Sequence, residues 1–412
     1  MSEPFAFFRE SPEKYWNFSL LKNAPAYREA PADSRAKGLH ALMVSGYGPA
    51  PDDCDFSEDE VIIGMNDPSP GPLSCKIPTE FFAYVGIPEG PVPEGGFPGI
   101  VLIHGGGGTA FPYQTLYWVK QGYAVIALDW YNQRPVPPAD FDGTVTSPYD
   151  FPDEEPVAPP LSRVPLEGGK RQDHVSNVAN MVLAHSLLLS WENVNPAKTA
   201  FVGLSWGSWY GAMVAAVDPR FQGGVEIYCG DVKENTSFIN GRFHHAAKVP
   251  LYWVTSTNDR HVTMSSLIRC FDECGKLENH SQVIRHPHSH IGFYFASVFR
   301  MAAHFTQGTP GLPKLSTITQ DGNTVRAKIL DPGKGILRAE LCYTDSTDPV
   351  HYERVWKSLP AKIDGDTISA ELPAGAHQFF LSAWDEECHS KDLCGSTRPV
   401  VLPIPGEQPD AL

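Results

Sequence analysis

The segment Gly203-Leu204-Ser205-Trp206-Gly207 sets one serine between glycines two residues away on either side. It follows the apolar run TAFVGL and precedes SWYGAMVAAV, a stretch able to form a helix. A GxSxG frame between strand and helix places its serine on a sharp, strained turn, with the hydroxyl clear of the sheet. Glycines are needed on both sides because a side chain there would collide with the crowded junction. The chemistry open to such a hydroxyl is nucleophilic attack on an acyl carbon, with the developing negative charge close to a helix N-terminus.

His104-Gly105-Gly106-Gly107-Gly108 ends an earlier apolar run, PGIVLI. Paired with the serine turn, it reads as a loop whose bare backbone approaches a substrate oxygen. The expected oxyanion donors are the N–H groups of Gly105 and Gly106, joined by that of Trp206. The run lacks the Lys-Ser/Thr of a phosphate loop and the spaced glycines of a dinucleotide site.

A serine hydroxyl also needs a base, and the base an acid that fixes its tautomer, in the chain order Ser, acid, His. Asp259, in TSTNDRHV just past an apolar run, is the expected acid. Asp231 is held in reserve and reads more simply as a turn or cap residue. The base is sought in HPHSH (286–290). The expectation favours His290, two residues further from the strand and ahead of Ile291-Gly292-Phe293. His288 is the alternate, since it follows Pro287 with little loop to swing, and His286, still in the strand, is third. Three histidines at alternate positions also suit a metal on a strand. Pro287 and the polar character of the loop oppose that reading, so neither metal nor cofactor is expected.

These groups need a frame. LHALMVSGYG and PTEFFAYVGIP read as early strands, followed by unalternated apolar runs at 100–103, 123–130, 199–205, 223–230, 250–256 and 281–286. Runs of this kind fit strands buried on both faces. Helical patterns lie between them at 111–121 and, most clearly, at 175–191. The expected fold class is therefore α/β, a mostly parallel sheet covered by helices on both faces, with the strand C-terminal ends and the ligand site on one edge. Residues 1–37 read as an arm and 38–313 as the catalytic domain, with 131–168 a Pro-rich, acidic, lid-like insertion. After GLPKL, period-2 strands separated by turn clusters predict an antiparallel β-sandwich at 314–404, with a tail at 405–412. Every candidate for chemistry precedes this sandwich, which is expected to be dispensable for the chemical step.

The formal charge of −16 opposes nucleic-acid and anionic-membrane partners. No apolar run reaches the length of a membrane span, and the N-terminus lacks a signal-peptide pattern, so a cytoplasmic protein is expected. The eight cysteines show no zinc or redox spacing and read as packed or idle thiols, with Cys388–Cys394 a pairing open only in an oxidising compartment.

IHGGGGTAF, GYAVIALD, LAHSLL, FVGLSWGSW, VDPRF and TSTND together resemble bacterial α/β-hydrolases of the dienelactone-hydrolase and acetyl-xylan-esterase-like group, over about residues 38–312. The resemblance implies an eight-stranded sheet, no cofactor, and carboxylic-ester substrates, often acylated carbohydrates. It puts Ser205, Asp259 and the histidines of His288-Ser289-His290 on the family's triad positions. Dienelactone hydrolases proper use a cysteine nucleophile, so Ser205 points to the esterase side. Many relatives carry a second glycine after the turn, where this chain has Ser208. The C-terminal sandwich resembles Ig-like or fibronectin-like appendages, whose role does not carry over. The expected function is a serine carboxylic-ester hydrolase acting on short acyl, above all acetyl, esters. The rivals are a non-catalytic binding protein on a hydrolase fold and a prolyl-oligopeptidase-like peptidase. The latter is disfavoured because only about 37 residues precede the first strand, against a large β domain in those enzymes. Trp130, Tyr131, Trp206 and Trp209 line a pocket on one reading and the core on the other.

Overall fold

The computed structural model describes residues 10–30, 37–50, 54–57, 60–63, 68–136, 162–166, 173–230, 241–286, 288–386 and 390–402. Among these residues nine strands build the main sheet: β1 (Tyr27–Glu29), β2 (His40–Tyr47), β3 (Pro78–Gly86), β4 (Phe97–Ile103), β5 (Ala124–Leu128), β6 (Val194–Leu204), β7 (Gly223–Ile227), β8 (Leu251–Ser256) and β9 (Leu277–Val283). Their spatial order is β1-β2-β3-β5-β4-β6-β7-β8-β9. The pairs from β5 to β9 are parallel, and β1, β2 and β3 add an antiparallel edge. The fold is α/β, as the apolar runs predict.

Unalternated runs arise because both faces are covered. Val101 and Ile103 of β4 join one core with α2 (His174–Leu189) and α3 (Trp206–Val217). Their neighbours Ile100 and Leu102 join the opposite core with α1 (Pro112–Lys120) and α5 (Ala296–Gln307). Helix α2 is buried from His174 to Leu188, which makes its N-terminus hard to solvate. Asp173 caps it through Val175 N–H and Ser176 N–H, and Lys76 neutralises that buried carboxylate at 2.9 Å.

The ninth strand departs from the expected eight. It comes from the N-terminal arm, where three exposed residues of β1 pair with β2. Exposed and short, it carries no apolar signature. The same arm packs Tyr15 and Trp16 into the core, with Trp16 Nε1 donating to the Val175 carbonyl at 2.8 Å.

Beyond α5 the described residues form two antiparallel sheets of five strands each. One includes Thr324–Asp331 and Thr367–Glu371, the other Arg338–Thr344, Trp356–Pro360 and Gln378–Trp384. Alternate residues such as Val325, Leu341, Ile368, Phe379 and Leu381 share a separate apolar core. Of the lid-like insertion, 137–161 and 167–168 lie outside the described residues, as do Asp231, Pro287, Cys388 and the tail. The flanks Gln133–Val136 and Ser162–Pro165 pair antiparallel. Among the described residues no helix is long and apolar enough to cross a membrane.

Candidate active site

Strand β6 stops at Leu204 and α3 begins at Trp206, so Ser205 is the whole turn. It sits at φ 55° and ψ −116°, a conformation a non-glycine residue holds only when its surroundings enforce it. Its N–H donates to the Ile227 carbonyl of β7 at 2.8 Å, and its carbonyl accepts from Ser208 N–H and Trp209 N–H. A Cβ on Gly203 would overlap the Gly207 carbonyl, and one on Gly207 would overlap the Ile103 carbonyl. Both glycines are thus required by close approach. Ser208 turns its hydroxyl back to the Ser205 carbonyl at 2.7 Å and so fits without disturbing the turn.

The glycine loop after β4 lies against this turn. A Cβ on Gly106 would stand 2.7 Å from the Trp206 ring, and one on Gly105 would stand 3.0 Å from the Leu204 carbonyl. Gly105, Gly106 and Trp206 are therefore brought together. Gly107, at φ 73°, donates its N–H to the Tyr131 hydroxyl at 3.2 Å. Trp130 Nε1 donates to the His104 carbonyl at 2.8 Å, and the two rings stack 4.9 Å apart. Asp129 collects the Thr109 hydroxyl and the N–H groups of Tyr131 and Gln133. Trp130 and Trp209 are buried, bracing the loop and α3, whereas Tyr131 and Trp206 are half-buried.

Asp259, 2% exposed, follows β8. Its Oδ2 lies 2.8 Å from His288 Nδ1, and its Oδ1 accepts from His261 N–H at 2.8 Å. The partner of Asp259 is therefore His288 and not the favoured His290. The reason lies in the loop after β9, which ends at Val283, so that His286 is no longer in the strand. Arg285 N–H donates to Thr257 Oγ1 at 3.1 Å and His286 N–H to Ser256 Oγ at 2.9 Å. These bonds zip the loop onto the segment after β8 and deliver His288 to Asp259. His290 opens a short 3-10 turn, His290–Tyr294, that carries it to the glycine loop. There Nε2 is 2.8 Å from where a Gly108 Cβ would stand, and the ring packs edge-on to Phe111.

Tyr228 escapes the sequence reading. It follows β7 directly, at φ 58°, and stacks on the His288 ring at 4.5 Å. Burial, with the Asp259 charge added, pushes its phenol far above the usual range, so it stays neutral. By sequence it lies inside the apolar run 223–230, and the structure ends that strand one residue before it, at Ile227. His286 meets the Tyr228 hydroxyl at 3.2 Å, whereas His288 pairs with Asp259. Burial lowers the pKa of His261, which meets His288 edge-on at 4.7 Å. A different trio, Glu226, Cys229 and His244, holds ligand-type atoms within 4.8 Å of one another. There Glu226 and His244 already answer each other's charge at 3.0 Å.

Residues 81–298 match the dienelactone hydrolase family. Acyl-coenzyme A thioesterase 1 of Homo sapiens is 37% identical over 94 residues, 19% of this chain and 22% of that protein. The chain thus spans about a fifth of that relative's length. Among solved structures, it is similar to an acetyl xylan esterase from Paenibacillus sp. R4 (TM-score 0.47, 14% identity, 73% of this chain and 96% of that one). It is also similar to acetyl xylan esterase 1 from Thermoanaerobacterium sp. JW/SL YS485 (TM-score 0.44, 11% identity, 73% and 94%). The family match runs from within β3 into α5 and takes in the glycine loop, Ser205, Asp259 and His288. Covering more than half of the sequence, it makes this chain a hydrolase of the dienelactone hydrolase family.

Proposed function

We propose that the protein is a serine carboxylic-ester hydrolase in which Ser205 attacks, His288 carries the proton and Asp259 orients His288. The observation that carries this reading is the 2.8 Å contact between Asp259 Oδ2 and His288 Nδ1, on the sheet edge that also holds the strained Ser205 turn. With Nδ1–H donated to the carboxylate, Nε2 is left free to accept the serine proton. The serine oxygen then bonds to the acyl carbon. The carbonyl oxygen takes negative charge beside the N–H groups of Trp206, Gly105 and Gly106, where each donor is worth about 3 kcal/mol in the transition state. His288 returns its proton to the departing alcohol, and water attacks the acyl-serine by the reverse sequence. Tyr228, flat against the imidazole, keeps the ring from rotating out of line.

A short acyl group, acetyl above longer chains, is the second part of the proposal, with acylated carbohydrates as candidate substrates. Its support is the tight approach of the glycine loop to Trp206 and Tyr131 over a serine only 9% exposed. The test is a p-nitrophenyl ester series from acetyl to octanoyl, run beside an acyl-coenzyme A thioester, with parent and Ser205→Ala. Ser205→Ala should lose at least about 10⁴-fold in kcat/KM on every active substrate and lose fluorophosphonate labelling. Parent-like turnover by that variant ends the serine mechanism, while octanoyl above acetyl ends only the short-acyl part.

A further inference from the structure

The C-terminal sheets reach the acid loop. Thr344 ends a strand, and residues 345–355 fold back on themselves before the next one. Thr344 Oγ1 donates to the Val355 carbonyl at 2.8 Å, and His377 Nε2 donates to the Ser346 carbonyl at 2.9 Å. Arg354, 4% exposed, donates through Nε to the Asp348 carbonyl at 2.9 Å. The loop is thus set by bonds within itself and to its flanks Thr344 and His377. It then meets three consecutive residues of the acid loop. His351 Nε2 donates to the main-chain carbonyl of Asp259 at 2.7 Å. Asn258 Nδ2 donates to the carbonyls of Tyr352 and Arg354 at 2.7 and 3.0 Å. The Arg260 guanidinium lies over the Tyr352 ring at 5.5 Å.

We infer that His351 is a positioning residue for the reaction, holding the Asp259 backbone so that its carboxylate meets His288. The inference rests on the Ser205–His288–Asp259 reading above. The Asp259 carboxylate is anchored at the side chain by His261 N–H and His288, and His351 supplies the main-chain anchor between them. Displacements near 1 Å in a reacting array cost up to about 10²-fold in rate, so an anchor one residue from the imidazole bears on kcat. A general docking contact would bear on stability instead.

Full-length parent, His351→Ala, His351→Gln and Asn258→Ser are compared on p-nitrophenyl acetate, with fluorophosphonate labelling and thermal melting alongside. His351→Ala should lower kcat by about tenfold, leave KM within about twofold, and label more slowly with Tm little changed. His351→Gln, whose amide can donate where Nε2 did, should restore most of the rate. Asn258→Ser removes the two neighbouring bonds and should move kcat in the same direction, which covers the case of an unfolded Ala variant. In a parent that is active and labelled, an unchanged kcat in the folded variants overturns the inference, as does equal loss in Ala and Gln. A parent without Ser205 labelling overturns the triad reading itself, and this inference with it.

Discussion

A serine at φ 55° and two glycines whose hydrogens face carbonyl groups are local demands, which is why the turn at Ser205 can be read from five letters of sequence. Asp259 is legible for a similar reason: it stands in the first turn past a buried strand on the same edge. The choice between His288 and His290 was not legible. It depends on two hydroxyls, Ser256 and Thr257, that catch the backbone of the 285–286 turn, and no spacing rule reports such bonds. The two histidines consequently differ in expected effect. His288→Ala removes the imidazole paired with Asp259 and should cost about 10⁴-fold or more in kcat/KM. His290→Ala takes a ring away from the glycine loop without touching Asp259, and should cost about tenfold through a looser oxyanion site. Steady-state rates on p-nitrophenyl acetate decide the matter. A near-normal His288→Ala beside an inactive His290→Ala returns the base to His290.

At the scale of elements, apolar runs revealed β4 to β8 because both faces of those strands are covered by helices. Strand β9 was half missed: its sequence, LENHSQV, is polar, yet Asn279, His280, Ser281 and Gln282 are all buried. Their partners explain it. Thr255 Oγ1 meets His280 Nε2 at 2.8 Å and donates to Gln282 Oε1, while Tyr252 donates to Ser281. Burial of His280 has a measurable consequence. Desolvation pulls its pKa down from near 6.5 to about 3, so the folded protein keeps it neutral where the unfolded chain takes up a proton. Above pH 6.5 neither state binds that proton and stability is unaffected. As pH falls from about 6.5 towards 3 the unfolded state is favoured by up to about 1.4 kcal/mol per unit, and below 3 the loss levels off. His280→Gln, which keeps a donor towards Thr255, should therefore show a shallower fall of unfolding free energy between pH 6 and 4. The difference from the parent should approach one proton. Parallel curves in urea titrations across that range exclude the assignment.

At the scale of the molecule, the C-terminal sheets supply groups that the hydrolase sheet and helices lack. Asp392 accepts from Ser297 N–H at 2.7 Å at the start of α5, doing the work of a helix cap. Ser396 Oγ accepts from Gln282 N–H at 3.0 Å on the outer edge of β9, and Ser281 donates to the Cys394 carbonyl, so that edge is covered. Arg300 of α5 forms a two-pronged pair with Asp385. Burial alone would raise the Asp385 pKa, but the guanidinium and Lys334 N–H hold it below the usual value. The period-2 pattern announced these sheets in the sequence, but a pattern of apolar positions says nothing about Asp392 or Ser396, whose partners lie some hundred residues away. Together with the bond from His351 to the Asp259 carbonyl, these contacts argue against the expectation that the region is dispensable for the chemical step. A chain ending at Pro313 would leave the α5 N-terminus uncapped, expose the β9 edge and strip Arg300 of its carboxylate, while Asp259 would lose His351. It should be recovered mostly as aggregate, and its soluble fraction should melt well below the parent and turn over p-nitrophenyl acetate poorly. In the full chain, Asp392→Ala isolates the cap and should cost about 1 kcal/mol in urea unfolding with kcat unchanged. A truncated protein that is monodisperse, melts with the parent and keeps its kcat would show the sheets to be an appendage.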